Sequence, residues 1–111
     1  MNPQEIYDTV KKHLLTQMAK SVHPVEGYCM YRNPNGLKCA VGCLIPDELY
    51  DLEMDTAGKG LSVILQNFSL PLWMRENIGL LLDLQRLHDG SEVRRWVNEV
   101  QTVAHTYGLN P

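Results

Sequence analysis

The first part of the chain carries an apolar residue at every fourth position, the pattern of an amphipathic helix. The stripe consists of Ile6, Val10, Leu14 and Met18. Asn2-Pro3 supplies a capping residue and a proline suited to the first helical turn, and Glu5 fits a capping box. Because Pro24 disfavours α geometry in the residue before it, we expect this helix to end before His23.

The second half of the chain shows the same helical spacing in three further stretches. The first of these contains Leu61, Ile64, Leu65 and Phe68. Ser69-Leu70-Pro71 has the features of a cap and first turn, and it precedes the longest predicted helix, Leu72 to His88. Apolar residues cover a wide arc of that helix, which is typical of a central helix.

A final helix is predicted between Ser91, as its N-terminal cap, and Gly108, as its C-terminal cap. We expect it to pair in antiparallel fashion with the preceding helix through a turn at Asp89-Gly90. The apolar arc of Leu72 to His88 exceeds what a small bundle needs, so we also predict a homo-oligomer.

The region between these helices is less regular. Gly27 to Arg32 alternates like a short strand, and Asn33 to Gly36 is a strong turn. Leu37 to Ile45 can return as a strand or form a short helix, and we favour a helix beginning near Lys38. Asp47 to Gly60 is polar and predicted to be a loop. The expected fold is mainly α (α+β), a single domain over residues 1–111 with four or five helices and one short β-hairpin or strand near residues 27–41.

Composition narrows the class of protein. Of the 111 residues, 44% are apolar and 21% are charged, as in ordinary globular domains. The net charge is −3 and the basic residues are scattered, which argues against a nucleic-acid partner. No apolar run reaches membrane-spanning length, and the polar start is unlike a signal peptide. Three cysteines without such a signal indicate a reducing, cytoplasmic compartment.

The three cysteines raise the question of a metal site. Cys29, Cys39 and Cys43 are separated by nine and three residues, whereas zinc ligands usually come in C-x-x-C pairs. His23 or His88 would have to supply a fourth ligand. Since unpaired cysteines commonly pack as small apolar residues, we predict no metal and no cofactor.

A cysteine nucleophile is the second chemical hypothesis. Cys39 follows Lys38 near a predicted helix start, where a thiolate is favoured, and His88-Asp89 contains a base and an orienting acid. Adjacent helical side chains normally diverge, so we do not expect His88 and Asp89 to bond to each other. We therefore predict no catalytic residue and a non-enzymatic protein.

A binding site is predicted around the turn at residues 33–36. Tyr31, Arg32 and Lys38 offer an aromatic face and two cations, which suits a base and a phosphate. The alternative is a solvated hairpin in which Arg32 pairs with Asp47 or Glu48. All five residues are candidate ligand- or partner-binding residues.

One block of the sequence also carries a family resemblance. The strings C-M-Y-R…G-L-K-C-A-V-G-C-L-I-P-D-E, L-D-L-Q-R-L-H-D and A-H-T-Y-G-L resemble a family of small proteins encoded by tailed bacteriophages and prophages. The resemblance covers Ile6 to Leu109. It implies an accessory protein of the host cytoplasm and no known activity. Because small phage proteins often bind and inhibit a host factor, we predict a non-enzymatic inhibitor of a host protein, such as a defence component. A sponge for a nucleotide-type signal is the first alternative, and a zinc- or cysteine-dependent enzyme is the second.

Overall fold

The fold is mainly α-helical, as the apolar pattern predicts. The computed structural model describes residues 1–56 and 58–111, and this part of the chain contains five α-helices and four short 3-10 helices. The α-helices are α1 (Pro3–Gln17), α2 (Leu61–Asn67), α3 (Leu72–Glu76), α4 (Ile78–Gly90) and α5 (Trp96–Thr106). The 3-10 helices span Gly42–Leu44, Asp47–Leu49, Leu52–Asp55 and Val93–Arg95.

Helix α1 begins as predicted and ends early. The Asn2 side chain accepts from the Glu5 N–H at 2.9 Å, and the Glu5 carboxylate accepts from the Asn2 N–H at 2.9 Å, which completes the capping box. The helix ends at Gln17 because Met18 adopts a left-handed conformation with φ 47°. The Gln17 side-chain amide donates to the Ala19 carbonyl at 2.8 Å. Because these local contacts already end the helix at Gln17, Pro24 is not the cause of its termination.

The helix predicted near Lys38 is wrong. The Lys38 N–H donates to the Gln17 side chain at 3.0 Å, and the Lys38 carbonyl bonds to Gln17 and to His13. Since α1 satisfies these backbone groups, the segment does not need helical bonds of its own. Only the 3-10 turn Gly42–Leu44 follows. The predicted strand is reduced to two isolated antiparallel bridges, Val22 with Cys29 and Arg32 with Lys38.

The longest predicted helix is in fact two helices that meet at Asn77. Asn77 has φ −117° and ψ 26°, outside the helical region, and its side-chain amide donates to the Trp73 carbonyl at 2.8 Å. Such a local bond offers the backbone an alternative to the helix. The apolar pattern continues across Asn77, so periodicity alone does not reveal the break.

The connection between α4 and α5 also differs from the prediction. Asp89 and Gly90 belong to α4, and Ser91 ends α4 with its N–H on the Leu87 carbonyl at 3.1 Å. Helix α5 starts after the 3-10 turn Val93–Arg95, without a side-chain cap. The two helices pack against each other as expected, and α5 also packs on α1.

One hydrophobic core joins α1, α4 and α5 with the central loops. Trp96 is fully buried, and the buried Tyr7 hydroxyl donates to the Val100 carbonyl at 3.0 Å. The apolar arc of α4 faces this core through Leu80, Leu81, Leu84 and Leu87, all of them buried. Because the chain itself covers most of that arc, the arc no longer argues for a homo-oligomer. The homo-oligomer stays a prediction.

Candidate functional site

A group of three potentially reactive side chains lies where the loop after α1 meets the end of α4. Ligand atoms of Cys29, His88 and Asp89 lie within 4.8 Å of one another. The His88 Nδ1 is 2.7 Å from the Asp89 carboxylate, so the expected divergence of these neighbours is wrong. The loop after α1 contacts both residues, with the Ser21 N–H on the His88 ring and the Lys20 ammonium on the Asp89 carbonyl.

The hydrogen bonds define which nitrogen of His88 holds the proton. The Ser21 backbone N–H donates to Nε2 at 3.0 Å, so Nε2 must present its lone pair. A neutral imidazole has one such nitrogen, and Nδ1 therefore carries the proton and donates it to Asp89. The ring is fully buried and stacks on Trp96 with centroids 5.5 Å apart. His88 thus ties the loop to α4 and α5.

Asp89 collects donors from several directions. Gln85 donates its amide to the Asp89 carboxylate at 2.8 Å, and the Gln85 carbonyl accepts from the Val41 N–H at 3.0 Å. Burial raises the pKa of Asp89, but bonds from His88, Cys29 and Gln85 outweigh it and hold this pKa below its ordinary value. The carboxylate is therefore ionised and stabilised where it stands.

This arrangement leaves His88 without a free lone pair. A metal would need the lone pair of a ring nitrogen, but Nδ1 has none and that of Nε2 is taken by Ser21. Accepting a proton as a base would break the same bond. The geometry therefore suits a structural clasp, and we call Ser21, Cys29, Gln85, His88 and Asp89 the polar clasp.

None of the three thiols is activated. Burial, with a further contribution from Asp89, raises the pKa of Cys29 to about 11 even though the residue is exposed. Burial also raises the pKa of Cys43 to about 12 and raises that of the fully enclosed Cys39. The Cys39 sulfur accepts from the Gly42 N–H at 3.2 Å. A thiolate nucleophile requires the opposite shift.

The predicted ligand site at Arg32 is occupied by neighbouring side chains. The Arg32 guanidinium bonds to Asp47 at 2.9 Å and to the Ile45 carbonyl at 2.7 Å, and it lies 4.7 Å from the centre of the Tyr50 ring. Lys38 lies 3.7 Å from the same Asp47 oxygen. Arg32, Lys38 and Asp47 therefore lie together. They form the ion pairing that the sequence analysis gave as the alternative to a ligand site.

The other two predicted site residues lie apart from this pairing. Tyr31 is only 8% exposed, and its hydroxyl donates to the Lys59 carbonyl at 2.9 Å, so little of its ring is open to a nucleobase. Glu48 is exposed on the 3-10 turn Asp47–Leu49. Asp55, which the sequence analysis missed, accepts from the Tyr31 N–H at 2.6 Å and the Arg32 N–H at 3.1 Å.

A cleft of about 410 Å³ opens beside the polar clasp, between residues 28–31, residues 58–61 and α4. Several of its polar groups are already bonded within the chain. Gln85 belongs to the clasp, and the Lys59 ammonium donates to the Glu53 and Thr56 carbonyls at 2.7 and 2.8 Å. The cleft therefore has few free groups with which to orient a small ligand.

Comparisons with known protein families, curated proteins and solved structures find no match. Within residues 1–56 and 58–111, no helix has the length and apolar character needed to cross a membrane.

Proposed function

We propose that this chain is a non-enzymatic accessory protein of a tailed phage or prophage, which binds and inhibits a protein of the bacterial host. A component of an anti-phage defence system is the target class that the sequence resemblance suggests. The proposal places the protein in the host cytoplasm.

The polar clasp is the observation that carries this proposal. His88 and Asp89, the pair best suited to acid–base chemistry, are bonded to the Ser21 N–H and the Gln85 amide. The Cys29 thiol beside them has a raised pKa. A group that holds a fold together in this way supports a role in shaping a surface rather than in chemistry.

The competing sponge hypothesis has less geometric support. It needs Tyr31 as a stacking platform and Arg32 as a phosphate ligand, yet the first is buried and the second is paired with Asp47. Binding a nucleotide there would require both groups to leave their present partners.

The test is affinity capture of the full-length chain from bacterial cells. We expect one host protein to co-purify in a fixed ratio, and the activity of that purified protein to fall as the chain is added. Co-purification in no fixed ratio, or unchanged activity at saturation, contradicts the proposal.

A further inference from the structure

Residues 47–55 form a short surface element with two leucines turned outward. The element consists of the 3-10 turns Asp47–Leu49 and Leu52–Asp55, and we call it the leucine knob. Leu52 is 79% exposed and Leu49 is 37% exposed, while Met54 is fully buried and anchors the element to the core. The element therefore presents two exposed leucines on a backbone that the core holds in place.

The leucine knob is held rigidly by its inward side chains. Tyr50 lies under the Arg32 guanidinium and donates to the Asp55 carboxylate at 2.5 Å. That carboxylate also receives the N–H groups of Tyr31 and Arg32. Because these bonds fix the backbone before any partner arrives, binding through the knob would lose little conformational entropy.

The leucine knob is rich in carboxylates. Its nine residues contain five carboxylates and no cation. Asp47 is exposed but pairs with Arg32, and Asp55 accepts from the Arg32 N–H. The Lys59 ammonium bonds to the Glu53 carbonyl. The carboxylates of Glu48, Asp51 and Glu53 remain exposed beside the leucines. An apolar contact bordered by carboxylates is complementary to an apolar pocket bordered by Lys and Arg. The same carboxylates repel nucleic acid and anionic membranes.

We propose that the leucine knob is the surface through which the chain docks on its host protein, with Leu52 inserted in an apolar pocket rimmed by basic side chains. This inference rests on the proposed function and specifies the contact. Apolar anchors surrounded by polar residues carry most of the energy of such interfaces. The rim charges chiefly speed association and choose the partner.

The experiment repeats the capture from bacterial extract with matched variants of the full-length chain. Leu52→Ala removes the anchor, and Glu48→Lys with Glu53→Lys reverses the rim. Val25→Ala is the control, because Val25 is also apolar and exposed, at 87%, but lies in the turn at residues 24–26. Affinity for the purified captured protein is then measured at low and high salt.

We expect Leu52→Ala and the double charge reversal each to weaken binding at least tenfold, and Val25→Ala to leave it unchanged. High salt should weaken wild-type binding, because it screens the rim charges. Equal binding by all variants overturns the docking surface while leaving the proposed function in place. No captured protein overturns both, and self-association lost in Leu52→Ala overturns the assignment to a host partner.

Discussion

Replacing His88 with phenylalanine tests whether the polar clasp is structural. The phenyl ring keeps the stack on Trp96, but it offers no acceptor to Ser21 and no donor to Asp89. Ser21 is fully buried, so its N–H is left without a partner, which costs about 1–3 kcal/mol. The Asp89 side chain is 39% exposed, so water replaces part of that bond and we add at most about 1 kcal/mol.

The expected result is a loss of about 1–4 kcal/mol in the free energy of unfolding. Urea titration followed by tryptophan fluorescence measures it, and His105→Phe on the exposed side of α5 is the matched control. His88→Gln, which restores an acceptor, should lose less than His88→Phe. A loss below about 0.5 kcal/mol, equal to that of the control, would refute the clasp, because surface substitutions commonly stay in that range.

Three further predictions follow from the same contacts. The pKa of Asp89 is lower in the folded state than in the unfolded state. Its contribution to stability is therefore complete above the ordinary aspartate pKa and is lost as the pH falls through the folded-state pKa. Asp89→Asn should flatten the acid unfolding curve, whereas Glu48→Gln should not. With its pKa near 11 against an ordinary 9.0, Cys29 should carry roughly 100-fold less thiolate than a free thiol at pH 7.5. Its alkylation, measured by mass spectrometry, should be slow and should become faster in Asp89→Asn. An alkylation rate equal to that of a free thiol contradicts this prediction. Gly42→Ala should lower the free energy of unfolding in urea by more than about 3 kcal/mol, because the added Cβ would lie 1.9 Å from the Tyr31 carbonyl oxygen. At Gly90 an added Cβ meets open space, so Gly90→Ala should be neutral or stabilising. Similar values for the two variants would refute the close approach at Gly42.

The sequence predicts the helices well where one apolar stripe coincides with a local cap. Asn2 and Glu5 define the start of α1, because a capping box uses only neighbouring residues. The break at Asn77 was missed, because the apolar pattern passes through it unchanged. The helix expected near Lys38 fails for a different reason, since its backbone groups bond to side chains of α1 that lie about twenty residues earlier.

The candidate site was predicted only in its local pairs. The Arg32–Asp47 pair was foreseen as an alternative, and the spacing of Gln85 and Asp89, four residues apart on a helix, could have suggested their bond. The bond from Ser21 to His88 joins residues 67 positions apart, so no local pattern reveals it. Contacts of that kind decide whether a histidine is reactive or structural.

A native mass spectrum of the chain purified from bacterial cells without chelators is the most direct test of the central claim that the chain binds a host protein. It reports subunit number, bound metal and retained small molecules together. The account predicts the chain with a bound host polypeptide in a fixed ratio. One zinc per chain, or an added mass of nucleotide size without a polypeptide, would contradict it.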